Sequence, residues 1–237
     1  AGWGAQPVDD RPTVRIAPAV QPAQAIPLGG FLPTTEDLAA ALGTGPNGFM
    51  GPTVEGDEDM LLRSVGEAQV TPADCAGAPY RLQQTVYRDS PVLSVASASW
   101  AGGGFDAAPV SAYVGVVQMG SAAAAQDFFA TTTERWRRCA GQTVALQQPG
   151  LGSGELSRVT DVVFDDSVVA ASVLHVSAGT EAPTGLRAVG VTGDCEEMDE
   201  DLVEAVENHQ FEAVTGAEWR NARLDFDSLP DLLRSLA

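Results

Sequence analysis

Residues Ser121–Gly141 read SAAAAQDFFATTTERWRRCAG. Ala125, Phe128, Phe129, Thr132, Trp136 and Cys139 recur at three- and four-residue spacing, which puts them on one face of an amphipathic helix. Ser121 is placed to cap the first turn with its hydroxyl. Arg135, Arg137 and Arg138 fall in the last turn, where cations complement the helix dipole. Gly141 lies just past the end.

Strand signals surround this helix. Upstream, Val92–Trp100 and Val110–Met119 read as a hairpin, with Gly102-Gly103-Gly104 and its flanks as the turn. Downstream, Thr143–Gln147, Leu156–Phe164, Ser167–Ser177 and Leu186–Val191 read as strands. Gly150, Gly152 and Gly154 mark one turn among them, Asp165-Asp166 another. Before the hairpin, Pro72–Arg88 is expected to be helical, with Cys75, Leu82, Val86 and Tyr87 near one stripe and Asp89-Ser90-Pro91 breaking it. Thr34 is placed to cap a short helix Thr35–Leu42 that Gly43 ends. Gly43–Gly56 reads as a loop, and Asp57-Glu58-Asp59 leads into a short helix at Met60-Leu61-Leu62. Helix, hairpin, helix and then a run of strands predict an α+β fold: one domain, an antiparallel sheet with helices packed on one face.

Both ends differ from the middle. Residues 1–30 are rich in Pro, Ala and Gln, with Pro7, Pro12, Pro18, Pro22 and Pro27 at close intervals, and read as an extended linker. The domain is expected over residues 31–208, its last part being an acidic helix Asp194–Glu207 with a weak stripe of Leu202, Val203 and Val206. Residues 209–237 form an extension carrying Phe211, Trp219, Leu224 and Phe226, then a short helix Ser228–Leu236 with Pro230 in its first turn. So many apolar side chains predict that the extension packs back on its own domain; docking on a partner is the alternative.

The chain has 237 residues, 44% hydrophobic, with a formal net charge of −19. All 13 basic residues are Arg. That balance excludes nucleic acid as a partner, because no basic surface replaces phosphate counterions. It equally excludes charge-driven docking on anionic lipid. No run of 18 apolar residues is present, so any attachment to a membrane is expected through an N-terminal anchor, lipid or helix, upstream of the linker. The Ala, Gly, Val, Asp and Arg bias points to a high-GC genome.

Motifs for chemistry are missing. There is no nucleophile elbow, P-loop, HExxH or dinucleotide fingerprint. Gly150-x-Gly152-x-Gly154 precedes no helix and reads as a hairpin turn. Of the two histidines, His175 is expected as a half-buried strand residue, and His209 follows the acidic helix. Asp57-Glu58-Asp59 and Asp165-Asp166 read as a helix start and a turn rather than a catalytic acid pair. The acidic helix holds no EF-hand loop, so its carboxylates read as a solvated face and not a metal site. No catalytic residue, cofactor or metal is therefore expected. Cys75, Cys139 and Cys195 form no CxxC pair, and three cysteines allow at most one intrachain disulfide.

Thr71-Pro72-Ala73-Asp74-Cys75-Ala76-Gly77 is followed by Tyr87, Trp100, Phe128-Phe129 and Trp136-x-x-Cys139-Ala140-Gly141, then Arg187-Ala188-Val189-Gly190-Val191. In this order the elements resemble the extracytoplasmic sensor-like domain of mycobacterial receptor serine/threonine kinase H and related lipoproteins. The resemblance covers roughly residues 31–192. It implies an α+β fold with a cleft beside an antiparallel sheet, a ligand-sensing role, and no catalytic residues. The chain departs from the pattern at Gly185, where the family has a cysteine, and at Thr192-Gly193-Asp194-Cys195, which turns straight into the acidic helix. The expected disulfide joins Cys75 and Cys139, with Cys139–Cys195 as the rival pairing. The expected function is a non-catalytic extracytoplasmic sensor or ligand-binding domain of an actinobacterial envelope protein, a lipoprotein. Its partner would be a small ligand of the cell envelope. The alternative is an accessory subunit that docks on an envelope membrane complex through linker and extension.

Overall fold

The computed structural model describes residues 24–42, 48–66, 69–104, 107–147, 154–177, 180–191 and 212–215. Its longest helix is α3, Ala122–Cys139, capped by Ser121, whose hydroxyl accepts the Ala124 N–H at 3.1 Å. Gly141 follows with φ of 76°, the left-handed conformation that ends a helix at least cost in glycine. The buried face of α3 is Phe128, Phe129, Thr132, Trp136 and Cys139.

Ten strands form one antiparallel path: β1 (Gly48–Met50), β4 (Val92–Gly104), β5 (Ala107–Met119), β10 (Glu212–Thr215), β9 (Thr180–Gly190), β8 (Val168–Ser177), β7 (Glu155–Phe164), β6 (Thr143–Leu146) and β3 (Val70–Thr71), with β2 (Val54–Gly56) beside β4. β4 and β5 make one block, and β6 to β9 a second. Among the described residues, only β10 is hydrogen-bonded to both. The β7–β8 ladder slips between Thr160 and Val163, where Asp161 has φ of 50°. A short polar residue tolerates that left-handed bulge better than a branched one.

The pleat sends alternate residues to opposite faces. On one face Ala96, Ala98, Trp100, Val114 and Val116 pack with Leu28 and Leu38. On the other, Val95, Val117 and Met119 pack with Leu82, Tyr87 and Phe128, while Val159, Val169, Ala171 and Val189 pack with Phe129 and Trp136. α3 therefore spans both blocks, with the neighbours Phe128 and Phe129 in different cores. Tyr87 stacks on Phe128 with ring centroids 4.5 Å apart. The short α1 (Thr35–Ala41) packs through Leu38 on the first face, opposite α3, so the helices are not confined to one face of the sheet. Thr34 and Asp37 form a reciprocal capping box at its start.

Several local expectations need correction. Pro72–Arg88 is not one helix: a 3-10 turn at Ala73–Cys75 is separated from α2, Gln84–Tyr87, by Leu82 at φ of 44°. The backbone there bonds elsewhere, since Leu62 donates to the Leu82 carbonyl and accepts from the Gln84 N–H, both at 2.8 Å. Residues 57–62 contain only a 3-10 turn, Glu58–Met60. Gly48–Met50 and Val54–Gly56, expected as loop, are edge strands on β4. Gly102-Gly103-Gly104, expected as the turn, belong to β4, whose ladder runs to Gly104 opposite Ala107.

Ordered structure also begins before residue 31. Gln118 holds the segment there, donating to the Gln24 carbonyl at 2.9 Å and accepting the Ile26 N–H at 3.0 Å. Leu28 is buried, and its N–H bonds the Glu55 carboxylate. At the other end, residues 212–215 of the expected extension form β10 inside the sheet. The remaining linker, the acidic helix and the short helix Ser228–Leu236 lie outside the described residues.

Candidate functional site: a cleft between the two sheet blocks

A cleft of about 500 Å³ opens between the blocks. Phe49, Ser99 and Tyr113 line it from β1, β4 and β5, and Glu155, Ser157 and Arg187 from β7 and β9. Arg81, from the segment before α2, completes it.

Each wall has its own geometry. The Arg81 guanidinium lies over the Tyr113 ring, 4.2 Å from its centroid, a cation–π arrangement. Arg81 Nε is buried and has no hydrogen-bond partner. The Tyr113 hydroxyl is 2.8 Å from the Ser97 hydroxyl, which fixes the ring. Across the cleft Arg187 is 3% exposed, and its guanidinium donates to the Ala78 carbonyl at 2.8 Å and the Gly77 carbonyl at 3.3 Å. A buried charge needs such bonds. They tie β9 to the turn that follows Cys75. Beside it, the Tyr80 phenol is pushed up to about 12, first by burial and second by the Glu155 carboxylate, with the Ser157 hydroxyl acting the other way. Tyr80 Oη is buried, and its contact with Ser157 falls short of full hydrogen-bond geometry. Phe49 stands 73% exposed at the rim on an edge strand. Two guanidinium groups, the Tyr113 phenol and an exposed phenyl ring suit a ligand with planar or anionic parts.

A smaller hollow, about 370 Å³, runs beside α3 between Asp127, Thr131 and Arg135 and the turn residues Asp74, Arg88 and Asp89. Its walls mix charges of both signs and come from α3 and the turns packed beside it. The cleft is the better candidate because both blocks build it.

Cys75 and Cys139 are joined by a disulfide, S–S 1.99 Å, which ties the 3-10 turn to the last turn of α3. Cys195 lies outside the described residues. The arginines near Cys139 face other partners: Arg137 pairs with Glu134 at 3.2 Å and lies over the Phe164 ring. His175 sits half-buried in β8 opposite Ser157, and His209 is outside the described residues. Asp165 caps its turn, accepting from the Ser167 and Val168 N–H groups at 2.7 Å. Asp57 likewise accepts from Asp59 N–H. β6 and β7 pair antiparallel, so the Gly150–Gly154 segment connects a hairpin. Among the described residues no three His, Cys, Asp or Glu side chains come together to hold a metal ion, and no helix is long and apolar enough to cross a membrane.

Sequence reasoning singled out Arg187 only as part of a strand, and missed Phe49, Arg81, Ser99, Tyr113, Glu155 and Ser157 as cleft residues. A lone cation within the apolar run Leu186–Val191 was the one available signal.

No curated protein sequence matches the chain. Among solved structures, the crystal structure of the extracellular domain of PknH from Mycobacterium tuberculosis matches with a TM-score of 0.59 at 21% identity, covering 73% of this chain and 84% of that one. The two share the fold. The family model described as PknH-like extracellular domain matches residues 23–196, most of the chain and both sheet blocks, but not β10. The chain thus belongs to the family of PknH-like extracellular domains, and its place is outside the cytoplasm.

Proposed function

We propose that the chain is a non-catalytic sensor domain of a cell-envelope lipoprotein, and that its ligand is a small molecule of the envelope bound in the cleft. The cleft carries this reading because its walls come from two sheet blocks. A ligand touching Tyr113 and Arg81 on one side and Glu155 and Ser157 on the other favours one relative position of the blocks, and that preference is what a sensor reports. The Arg187 bonds to Ala78 and Gly77 fix one wall of the cleft to the turn that follows the disulfide. The N-terminal proline-rich stretch then serves as the leash to a lipid anchor.

The test uses the purified chain, a solvent-extracted small-molecule fraction of a mycobacterial envelope, and native mass spectrometry. A discrete adduct is expected on the wild type and not on Tyr113→Ala or Arg81→Gln. An adduct on all three proteins, or on none, would overturn the cleft reading.

A further inference from the structure

The cleft carries charges of opposite sign on its two walls. Arg81 lies over the Tyr113 ring of β5, and Glu155 opens β7. Among the described residues neither is in an ion pair, with the other or with a third group. The walls therefore hold the two charges too far apart to neutralise each other.

Both groups are fixed in place. Gln83, 2% exposed, donates to the Arg81 carbonyl at 2.9 Å and accepts the Val65 N–H at 3.0 Å, which pins the backbone under Arg81. The Tyr113 ring meets one face of the guanidinium and accepts none of its hydrogen bonds, and Nε is buried and unbonded. A buried donor without an acceptor is costly, and an oxyanion against the guanidinium is the group that best supplies acceptors. Glu155 is held in the β6–β7 ladder opposite Leu146, and its side chain is exposed. Its carboxylate stands near enough to Tyr80 to oppose ionisation of that phenol. Arg187, the other guanidinium of the cleft, is 3% exposed and donates to the Ala78 and Gly77 carbonyls, so it belongs to the wall. Ser99, Ser111 and Ser157 also line the cleft, and the Phe49 ring stands at its rim.

We propose that the ligand of the cleft is a small zwitterion, its oxyanion taken by the Arg81 guanidinium and its ammonium by the Glu155 carboxylate. This assignment rests on the cleft being the ligand site and names the class that fits it. A ligand with a single charge leaves one of the two groups unmatched, whereas an ammonium and an oxyanion a few bonds apart match both. The field of the whole chain agrees. With a net charge of −19 the protein repels a simple anion at long range, and a zwitterion carries no net charge. A free amino acid and the phosphoethanolamine headgroup of a lipid share this chemistry.

Ligand-observed NMR on the purified chain takes phenylalanine, N-acetylphenylalanine and phenylalaninamide as one series: zwitterion, anion and cation on the same side chain. Glycerophosphoethanolamine and its N-acetyl form make a second series, which separates a lipid headgroup from a free amino acid. In at least one series the zwitterion is expected to bind at least about tenfold more tightly than its capped forms, the weight of one charge-assisted hydrogen bond. Glu155→Gln should erase the advantage over the N-acetyl form, and Arg81→Gln should weaken the zwitterion by a similar factor. Both variants should retain the Cys75–Cys139 disulfide and the wild-type far-UV spectrum. Glu155 is exposed, so its variant tests the proposal even where Arg81→Gln does not fold. Capped forms that bind as well as the zwitterion in both series, no binding in either at millimolar concentration, or an advantage that survives Glu155→Gln would overturn the proposal. The envelope-extract adduct separates the two readings. An adduct on wild type that Tyr113→Ala loses persists where only the zwitterion fails, and its absence from wild type removes the cleft itself.

Discussion

The Trp100 indole lies flat across Gly102 on β4 and across Gly48, its register partner on β1, so closely that a Cβ at either glycine would sit inside the ring. Trp100 is 1% exposed and its Nε1 has no hydrogen-bond partner, so packing and not polarity fixes the ring. The bare backbone of both glycines is what admits it.

Gly102→Ala is accordingly expected to destabilise the domain by about 2–3 kcal/mol, at the upper end of overpacking costs, because the clashing atoms are a rigid buried ring. Gly30→Ala is the control, since a Cβ there meets nothing within 4 Å. Urea unfolding followed by tryptophan fluorescence measures both. A Gly102→Ala midpoint equal to that of wild type would show that the ring has somewhere else to go.

The disulfide closes a loop with a sequence separation of 64 residues. Loop-closure entropy for that size stabilises the fold by roughly 4 kcal/mol relative to the reduced chain. Replacing both Cys75 and Cys139 with serine should lose most of it, read as a lower denaturation midpoint. Non-reducing peptide mapping of the wild type should recover Cys75 linked to Cys139; a Cys139–Cys195 peptide would contradict the pairing.

These two cases bracket what the sequence makes legible. α3 could be read in full, because a helix stripe, a serine cap and a following glycine are local signals and all three agree. The longer strands were legible from β-branched runs. Gly48–Met50 and Gly102–Gly104 were not, because glycine has no side chain to advertise a strand, and what holds it there is a tryptophan packing over the backbone. Pro72–Arg88 misled for a different reason. Its apolar residues Cys75, Leu82 and Tyr87 are buried, but the backbone between them is bonded to Leu62, about twenty residues upstream. The cleft was illegible for the same cause on a larger scale. Phe49, Arg81, Tyr113 and Glu155 are strangers in sequence, and only the sheet order brings them together. β10 is the extreme case: a four-residue strand between β5 and β9 is specified by its neighbours more than by itself.

Arg187 offers a stability test. Its side chain reaches back to Ala78 and Gly77, which lie beside the disulfide. Arg187→Ala leaves both carbonyls without those donors, at a cost of about 2–4 kcal/mol given 1.5–3 kcal/mol for a single bond to a charged group. Arg187→Lys should recover only part of this, because one ammonium does not reproduce the planar fork. Thermal unfolding of the three proteins ranks them, and a lysine variant as stable as wild type would remove the fork from the account.

Tyr80 sets the alkaline behaviour. Its phenol is pushed up to about 12 from an ordinary value of 10.0. The raised value means that the folded state keeps a proton which the unfolded state gives up. The stabilisation is complete below pH 10 and is lost as pH rises toward 12. In ultraviolet titration at 295 nm, a tyrosine step near pH 12 is therefore expected, and Tyr80→Phe should delete it. The same substitution should flatten the fall of stability between pH 10 and 12. At pH 7 it should leave stability unchanged or slightly raised, because the hydroxyl removed is buried and its contact with Ser157 falls short of full hydrogen-bond geometry. A clear loss of stability at pH 7 would mean that Tyr80 does bond the Ser157 hydroxyl, the contact that acts against the rise.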